Sequence, residues 1–477
     1  MGLAVRHSRR SGPEMRKKPK DRWVALEHPE HRGAEQGKAM RRYGPVSLGY
    51  LVFVIAVLML VNTIKVADRE LLGPIFEPLS QDLNLNDFQL GLIRSATDAT
   101  LVVGVIFFGL LADRWKRRNV IGGAVLCWSA ITWATGRVHN LGQLLSARAS
   151  MAFFQAAFTT SAYPMMGDLV PRRSRGVVMG LMGATFALGT VLALLVTGLL
   201  GTASWRRFFG IFGIPGLVLG VLIFAFVREP ARGGAEDEVL DGGIYAGRFT
   251  WSALKQTLRI PSAWLVYLLD GCQGSTWWAF SFWAPAYLVR RQIAPNPDVA
   301  ALALLPAILG FVTGTVLGGW LIDRLRRRTE RSAVWVALLS TSAALVLSFV
   351  VFALTDLTAV LVAGFFLGLF GYLITPAINV ILYDVVPPET RSSATAADGV
   401  VMSTISALTG LAIGAASEYV GARQGLAEGN LRVGFQGAVT LLLSGGIVVS
   451  LLLLRIAPRD MAALRRYVAA RAHGGQG

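Results

Sequence analysis

Apolar runs close to the length of a bilayer crossing recur from one end of this chain to the other, which leaves it few ways to fold. Hydrocarbon supplies no water to bond backbone N–H and C=O groups, so runs this long are read as helices that satisfy those groups internally. The runs fall at 46–72, 89–112, 119–137, 142–167, 175–200, 208–228, 262–290, 299–322, 332–354, 358–385, 393–420 and 434–456. The expected fold class is therefore an all-α membrane protein with twelve transmembrane helices. The first, fourth, seventh and tenth runs are interrupted by Asp, Arg, Gln, Pro or Gly, which marks them as facing other helices rather than lipid.

A repeated pattern divides these runs into two sets. Gly-x-x-x-Asp-Arg-x-basic-Arg-Arg occurs at Gly109–Arg118 and again at Gly319–Arg328. Asp-x-x-Pro-x-x-x-Arg follows each copy, as Asp168/Pro171/Arg175 and as Asp384/Pro387/Arg391. The similar offsets imply two six-helix pseudo-symmetric bundles, the arrangement of chains that rock one half against the other. The domain reading is a basic tail at 1–45, a first bundle at 46–228, a linker at 229–261, a second bundle at 262–456 and a basic tail at 457–477.

The formal net charge is +17, yet its distribution argues against nucleic acid. With the N-terminus inside, the basic residues concentrate in segments that face the cytoplasm, and the first 45 lack interleaved aromatics. Nor do those 45 residues carry the apolar core and cleavage site of a signal peptide. Both termini are expected in the cytoplasm and the chain in the inner cell membrane. The two cysteines, Cys127 and Cys272, lie in predicted spans, so no disulfide framework is expected. All five histidines lie outside the spans, which leaves any intramembrane proton relay to carboxylates. The sequence contains no nucleotide-binding P-loop, His-Glu-x-x-His or Gly-x-Ser-x-Gly pattern. No cofactor or metal is expected, and the chain does not read as an enzyme.

Charge at bilayer depth costs at least about 2.5–3.5 kcal/mol per residue, so each instance needs a reason. The first span carries Lys65, Asp68, Arg69 and Glu70, the second Arg94 and Asp98, the fourth Arg148, and the seventh Asp270 with Gln273. Lys65 and Arg69 share a helix face, as do Arg94 and Asp98. The near balance of sign predicts mutual pairing. Trp278 and, in the tenth span, Tyr372, Thr375, Pro376 and Asn379 are candidates to line a solute path.

Repeated Asp/Arg spacing at the helix ends suggests contacts made in only one state of a rocking bundle. Gating candidates are Asp113, Arg114, Arg118, Asp168 and Arg175 in the first half, with Asp323, Arg324, Asp384 and Arg391 in the second. Gly109 is expected to let two helices approach closely.

Gly109-Leu-Leu-Ala-Asp113-Arg114-Trp-Lys-Arg-Arg118 resembles the loop motif of the major facilitator superfamily. A closer resemblance, to the spinster-like transporters, rests on Asp68-Arg69, Gly91-Leu-Ile, Arg148 with Ala156 and Pro164, Trp283-Ala-Pro285 and Asp384-Val-Val-Pro-Pro-x-x-Arg391. Organic-anion/cation symporters of the same superfamily share the basic positions of spans one and four. The resemblance implies substrate contact and coupling roles for Asp68, Arg69 and Arg148. It also implies an acid seven residues after Arg148, where this chain has Gln155. Either Asp68 or Asp98 then carries a coupling proton, or the protein is a uniporter or exchanger.

These readings imply a secondary transporter for an amphiphilic or organic anionic solute, of lysophospholipid or sphingoid class by resemblance. A small organic anion or drug-like solute is the alternative, and a non-transporting sensor is a third. The expected partners are that solute, the lipid bilayer and, where coupling survives, protons. A monomer is expected.

Overall fold

The computed structural model describes residues 47–170, 172–230, 255, 258–387, 390–426 and 429–474. The N-terminal tail, most of the linker and Pro171 lie outside these residues, as do the side chains of Asp113 and Arg175. The described chain is helical. Its long helices are α1 (Leu48–Glu70), α3 (Asp87–Arg114), α4 (Arg117–Thr135), α5 (Leu141–Leu169), α6 (Arg172–Leu200) and α7 (Trp205–Phe226) in the first half. The second half has α8 (Pro261–Arg290), α10 (Leu305–Arg326), α11 (Ser332–Ala353), α12 (Leu357–Gly371), α13 (Ile374–Val385), α14 (Arg391–Gln424) and α15 (Leu431–Gly474). Two short helices, α2 (Phe76–Leu83) and α9 (Pro297–Leu302), follow α1 and α8 at equivalent places.

Among the described residues, nine segments are long and apolar enough to cross a membrane. The other three expected spans are α4, α5 and α8. Their helices form, with 19, 29 and 30 residues, but each is more polar, and α5 and α8 carry the buried Arg148, Gln155 and Gln273. Helices wrapped by neighbouring helices need less apolar surface than helices that meet lipid.

The helix starts follow from local chemistry. Asn86 accepts from the Gln89 N–H while Gln89 answers to the Asn86 N–H, a reciprocal cap on α3. Asn140, Asn296 and Asp356 accept likewise at the starts of α5, α9 and α12. The break between α12 and α13 also has a local cause. Pro376 has no N–H to give the Tyr372 carbonyl, which takes the Thr375 N–H at 3.3 Å instead. The residues assigned to a C-terminal tail continue α15 as helix through Pro458.

Duplication is visible in the packing. In the first half α3 lies on α5, α4 on α7 and α5, and α1 on α6. The second half repeats this with α10 on α12, α11 on α15 and α12, and α8 on α14. The halves meet where α3 packs on α14 and α6 on α9 and α10. Gly310, Gly314 and Gly318 form a small-residue stripe on α10, where a Cβ would come within 2.1–2.2 Å of the carbonyls of Phe365, Leu369 and Leu373. The repeated motif glycines behave differently. A Cβ at Gly109 or Gly319 meets nothing within 4 Å, so the expected close approach at Gly109 is not made. Gly104, against the Phe153 carbonyl, makes it one turn and a half earlier.

Candidate functional site

Two carboxylates organise the buried charges of the first half. Asp68, on the last turn of α1, accepts from Arg148 Nη1 at 3.2 Å, Thr132 Oγ1 at 2.9 Å and Gln155 Nε2 at 3.2 Å. Arg148 also donates to the Asp68 backbone carbonyl at 3.2 Å. The four side chains come from α1, α4 and α5, so this network ties three helices at one level. Gln155 is thus a donor to Asp68. An ionised acid in its place would face a carboxylate instead.

Asp98, on α3, lies between two guanidinium groups, with Arg69 Nη2 at 2.5 Å and Arg94 Nε at 3.1 Å. Ser406 of α14 donates to it at 2.6 Å, across the interface between halves. Both guanidinium groups stack on Trp278, 4.4 and 4.5 Å from its ring centroid. Trp278 therefore joins the charged cluster. Glu70 accepts from Ser281 of α8, another contact between halves. Lys65 is half-buried, 3.4 Å from Thr159 Oγ1 and 5.0 Å from the Phe158 ring centroid. With side chains ionised, Lys65, Arg69, Arg94 and Arg148 face Asp68, Glu70 and Asp98, so cations exceed anions by one. Arg69 Nε, Arg94 Nη2 and Arg148 Nε are buried without a hydrogen-bond partner among the described residues.

Beside this cluster is a partly open cavity, walled mainly by α8, α10, α11, α12 and α15 with Thr190 and Leu194 of α6. Its wall is largely apolar and aromatic; Trp277 and Tyr372 of the wall both pack on Phe311, with the Phe311 and Tyr372 centroids 4.3 Å apart. Gln273 donates to the Gly371 carbonyl at 2.7 Å, leaving its buried Oε1 without a partner. Ser281 belongs to the wall and also reaches Glu70, which joins cavity to cluster. Asn379 is exposed on α13 and is not brought to this cavity with Tyr372.

One end of the molecule is sealed between halves by residues that sequence reasoning missed. Arg290, ending α8, meets Glu77 of α2 at 3.2 Å and Asp87 of α3 at 2.9 Å. Ser417 of α14 donates to Asp87 at 2.6 Å, and Glu418 accepts from the Asp87 N–H at 2.8 Å. Thr202 bonds Asp298 of α9 through both N–H and hydroxyl at 2.7 Å. Close backbone contact accompanies these bonds: Pro285 leaves the Ser281 carbonyl without its helical donor, and Gly73 packs there, where a Cβ would be 2.2 Å away. The signal available in the sequence was the acidic start of α3 facing a basic end of α8, though such charges usually read as loop polarity.

At the opposite end, the two ion pairs seen for gating candidates among the described residues each lie within one half. Asp168 pairs with Arg117, and Asp384 with Arg326 at 3.1 Å. Arg118 lends its N–H to Glu229 at 2.8 Å and Nη1 to the Val227 carbonyl, while Arg391 donates to the Tyr383 carbonyl at 3.1 Å. Arg114, Asp323 and Arg324 are exposed, with Arg324 against Trp320. Asp398 of α14 is a second omission. It is 9% exposed, and its Oδ1 is buried without a hydrogen-bond partner among the described residues. Its position inside the eleventh apolar run was the signal that could have found it.

A family model, the Major Facilitator Superfamily, matches residues 58–351. The chain belongs to that superfamily. This member is 26% identical over 299 residues to the probable galactarate/D-glucarate transporter GudP of Bacillus subtilis (strain 168), covering 58% of this chain and 65% of that protein. It is 23% identical over 288 residues to the sphingosine-1-phosphate transporter SPNS2 of Danio rerio, covering 57% of this chain and 56% of that one. The match thus spans somewhat under two thirds of these relatives. Among solved structures, a bacterial homolog of the human lysosomal transporter spinster, inward-facing and unoccupied, superposes with a TM-score of 0.70 over 89% of this chain and 99% of that one. At 20% identity that match establishes the fold. The resemblance to spinster-like transporters read from the motifs is borne out. The superfamily is one of multi-pass transporters, and this chain shares its membrane fold.

Proposed function

We propose that this protein moves an anionic single-chain amphiphile, of lysophospholipid or sphingoid-phosphate type, by alternating access between its two bundles. The observation that carries this reading is the juxtaposition of the apolar cavity with the buried charge cluster through Ser281, which lines the cavity and donates to Glu70 beside Arg69 and Arg94. An apolar chain in the cavity would gain about 25 cal/mol for each Å² it removes from water. Its anionic head would meet unpaired buried donors on Arg69 and Arg94. A hexarate such as the relative's galactarate needs a hydrogen-bond partner for each hydroxyl. Of the seven lining side chains with a polar atom, Thr190, Gln273, Thr276, Ser281 and Tyr287 already donate within the protein, so the wall does not offer that.

The excess of basic residues in the segments at the motif end supports a cytoplasmic position for that end and for both termini, in the inner membrane of the cell. The end sealed by Arg290 is then the outer one, and the described state is open inward. The two bundles act as domains and the protein as a monomer. In this reading Lys65 adds positive potential along the entry path, Asp68 and Arg148 hold α1, α4 and α5 together, and the Asp168 and Asp384 pairs stiffen each bundle's inner rim.

The test fills the cavity. A Cβ at Gly364 meets nothing nearer than the Ala307 methyl group at 3.9 Å, so Gly364→Leu adds volume without forcing backbone apart. Uptake of a lysophospholipid into proteoliposomes should fall at least tenfold, with helicity and detergent stability retained. Wild-type uptake by the folded variant would refute the cavity assignment.

A further inference from the structure

We infer that Gln273 and Trp277 form a hydroxyl-binding subsite in the cavity wall, by which the protein tells a single-chain lipid with a free hydroxyl from one without. Both side chains line the cavity. Four residues apart on α8, they share one helix face. Gln273 Oε1 and Trp277 Nε1 are each buried without a hydrogen-bond partner among the described residues. The first only accepts and the second only donates. A hydroxyl does both, so one such group on a bound molecule answers the two together. A methylene answers neither, and an ester oxygen, which has no hydrogen, answers only the indole.

The break between α12 and α13 sets the orientation of Gln273. In a continuous helix the Thr375 N–H would serve the Gly371 carbonyl; here it bonds the Tyr372 carbonyl at 3.3 Å. The freed Gly371 carbonyl takes Gln273 Nε2 at 2.7 Å and Ser340 Oγ at 3.0 Å. Turning the amide over would set its oxygen against that carbonyl, so Oε1 is the atom left over. Gln273 is 5% exposed, and a buried acceptor without a donor carries a cost that a ligand recovers. The last torsion of an amide is broad, so Oε1 can lean toward a bound hydroxyl while Nε2 keeps Gly371. Trp277 is held by its neighbours: its ring stacks on Phe311 with centroids 5.5 Å apart and meets Tyr372 edge-on at 5.2 Å. Four hydroxyls of the wall, on Thr190, Thr276, Ser281 and Tyr287, donate within the protein and do not compete for this role.

Position along α8 gives the subsite its use. Ser281, one turn beyond Trp277, is where the cavity meets the charge cluster, and Trp278, next in sequence to Trp277, carries the Arg69 and Arg94 guanidinium groups. One helical turn rises about 5.4 Å, a few bonds along a lipid. A lysophospholipid or a sphingoid phosphate carries a hydroxyl at about that remove from its phosphate. In a diacyl phospholipid the corresponding oxygen is esterified and has no hydrogen to give Gln273. The pair therefore lets the protein pass over the bulk lipid of the membrane. A hexarate gains little, because one donor and one acceptor serve a single hydroxyl. This selective role rests on the lysolipid reading above; the donor–acceptor pair itself does not.

The test is equilibrium binding to the purified full-length protein in nanodiscs, comparing a lysophosphatidic acid with its deoxy analogue, which has hydrogen in place of the glycerol hydroxyl. The wild type should bind the hydroxyl compound about tenfold more tightly. In Gln273→Met and Trp277→Phe the two affinities should converge, through loss for the hydroxyl compound alone; Ser340 still serves Gly371 in the first, and the second keeps an aromatic ring against Phe311. No preference in the wild type, or the same preference in both variants, would overturn the subsite. A neutral pair, decanol and decane, separates the subsite from the head group. Decanol should shift the hydrogen-bond-sensitive indole Raman band that remains after the Trp277→Phe spectrum is subtracted, and decane should not. No shift with decanol would overturn the subsite whatever the lipids do. A shift with decanol when neither lipid binds would count against the lysolipid reading alone.

Discussion

Arg290→Ala should unlock the sealed end. In the described state Arg290 bridges Glu77 and Asp87 of the first half from the end of α8, and Asp87 is only 1% exposed. Removing one partner of a fully buried pair costs about 3–5 kcal/mol because a charge is left uncompensated. Here the loss is smaller, since the Arg290 side chain is 16% exposed and Asp87 keeps the Ser417 hydroxyl and the start of α3. We take about 2 kcal/mol. The bridge exists only while the halves are joined at this end, so the whole amount acts on the equilibrium between states, about a thirtyfold shift. Spin labels at Gln81 and Arg291, with Cys127 and Cys272 replaced, would read the distance across the seal. The variant should add a longer-distance population, and Arg290→Lys should fall between, because one ammonium cannot reproduce the planar fork. An unchanged distance distribution in Arg290→Ala would refute the reasoning.

Arg148→Ala strands Asp68, which is 1% exposed, and should cost about 3–5 kcal/mol, read as a lower melting temperature together with lost uptake; an unchanged melting temperature would mean the pair contributes little. Gln155→Glu puts a second carboxyl where an amide now donates to Asp68 at 3.2 Å, so the two must hold a proton between them. The variant should gain a pH-step response in flux that Asp68→Asn removes, and no gain would argue against the geometry. Outside the membrane, the Arg206 guanidinium beside Asp82 holds its carboxyl below the ordinary carboxylate range. A folded-state value below the unfolded one means stabilisation that is present at neutral pH and lost as pH falls through the carboxylate range. Because the pair is largely exposed, Asp82→Asn should cost under about 1 kcal/mol and flatten the acid side of the stability profile.

Much of the fold was legible because bilayer length and hydropathy leave one choice of secondary structure. The duplicated motif gave the two halves, and the packing pairs repeat as a duplication requires. Pro376 marked the break in the tenth span. Partners were less legible. Asp68 meets Arg148 across 80 residues and Asp98 meets Ser406 across 308, and nothing local specifies such pairs. Lys65, Asp68, Arg69, Arg94, Asp98 and Arg148 could be found by the cost of their burial, but whether each would face solute or another side chain could not. Trp278 looked like path lining, but that it carries two guanidinium groups could not be read from the sequence. Gly109 misled because its helix face is open in this state. Asp398 was overlooked within an apolar run although burial cost alone should have flagged it.

The central claim is that an anionic amphiphile, rather than a small polar diacid, is the solute. Counterflow in proteoliposomes tests it directly, with vesicles preloaded with either a lysophospholipid or galactarate and the labelled form of the same compound outside. The account predicts accumulation of label with the lysophospholipid, its abolition in Gly364→Leu and none with galactarate. Accumulation with galactarate and not with the lysophospholipid would contradict it.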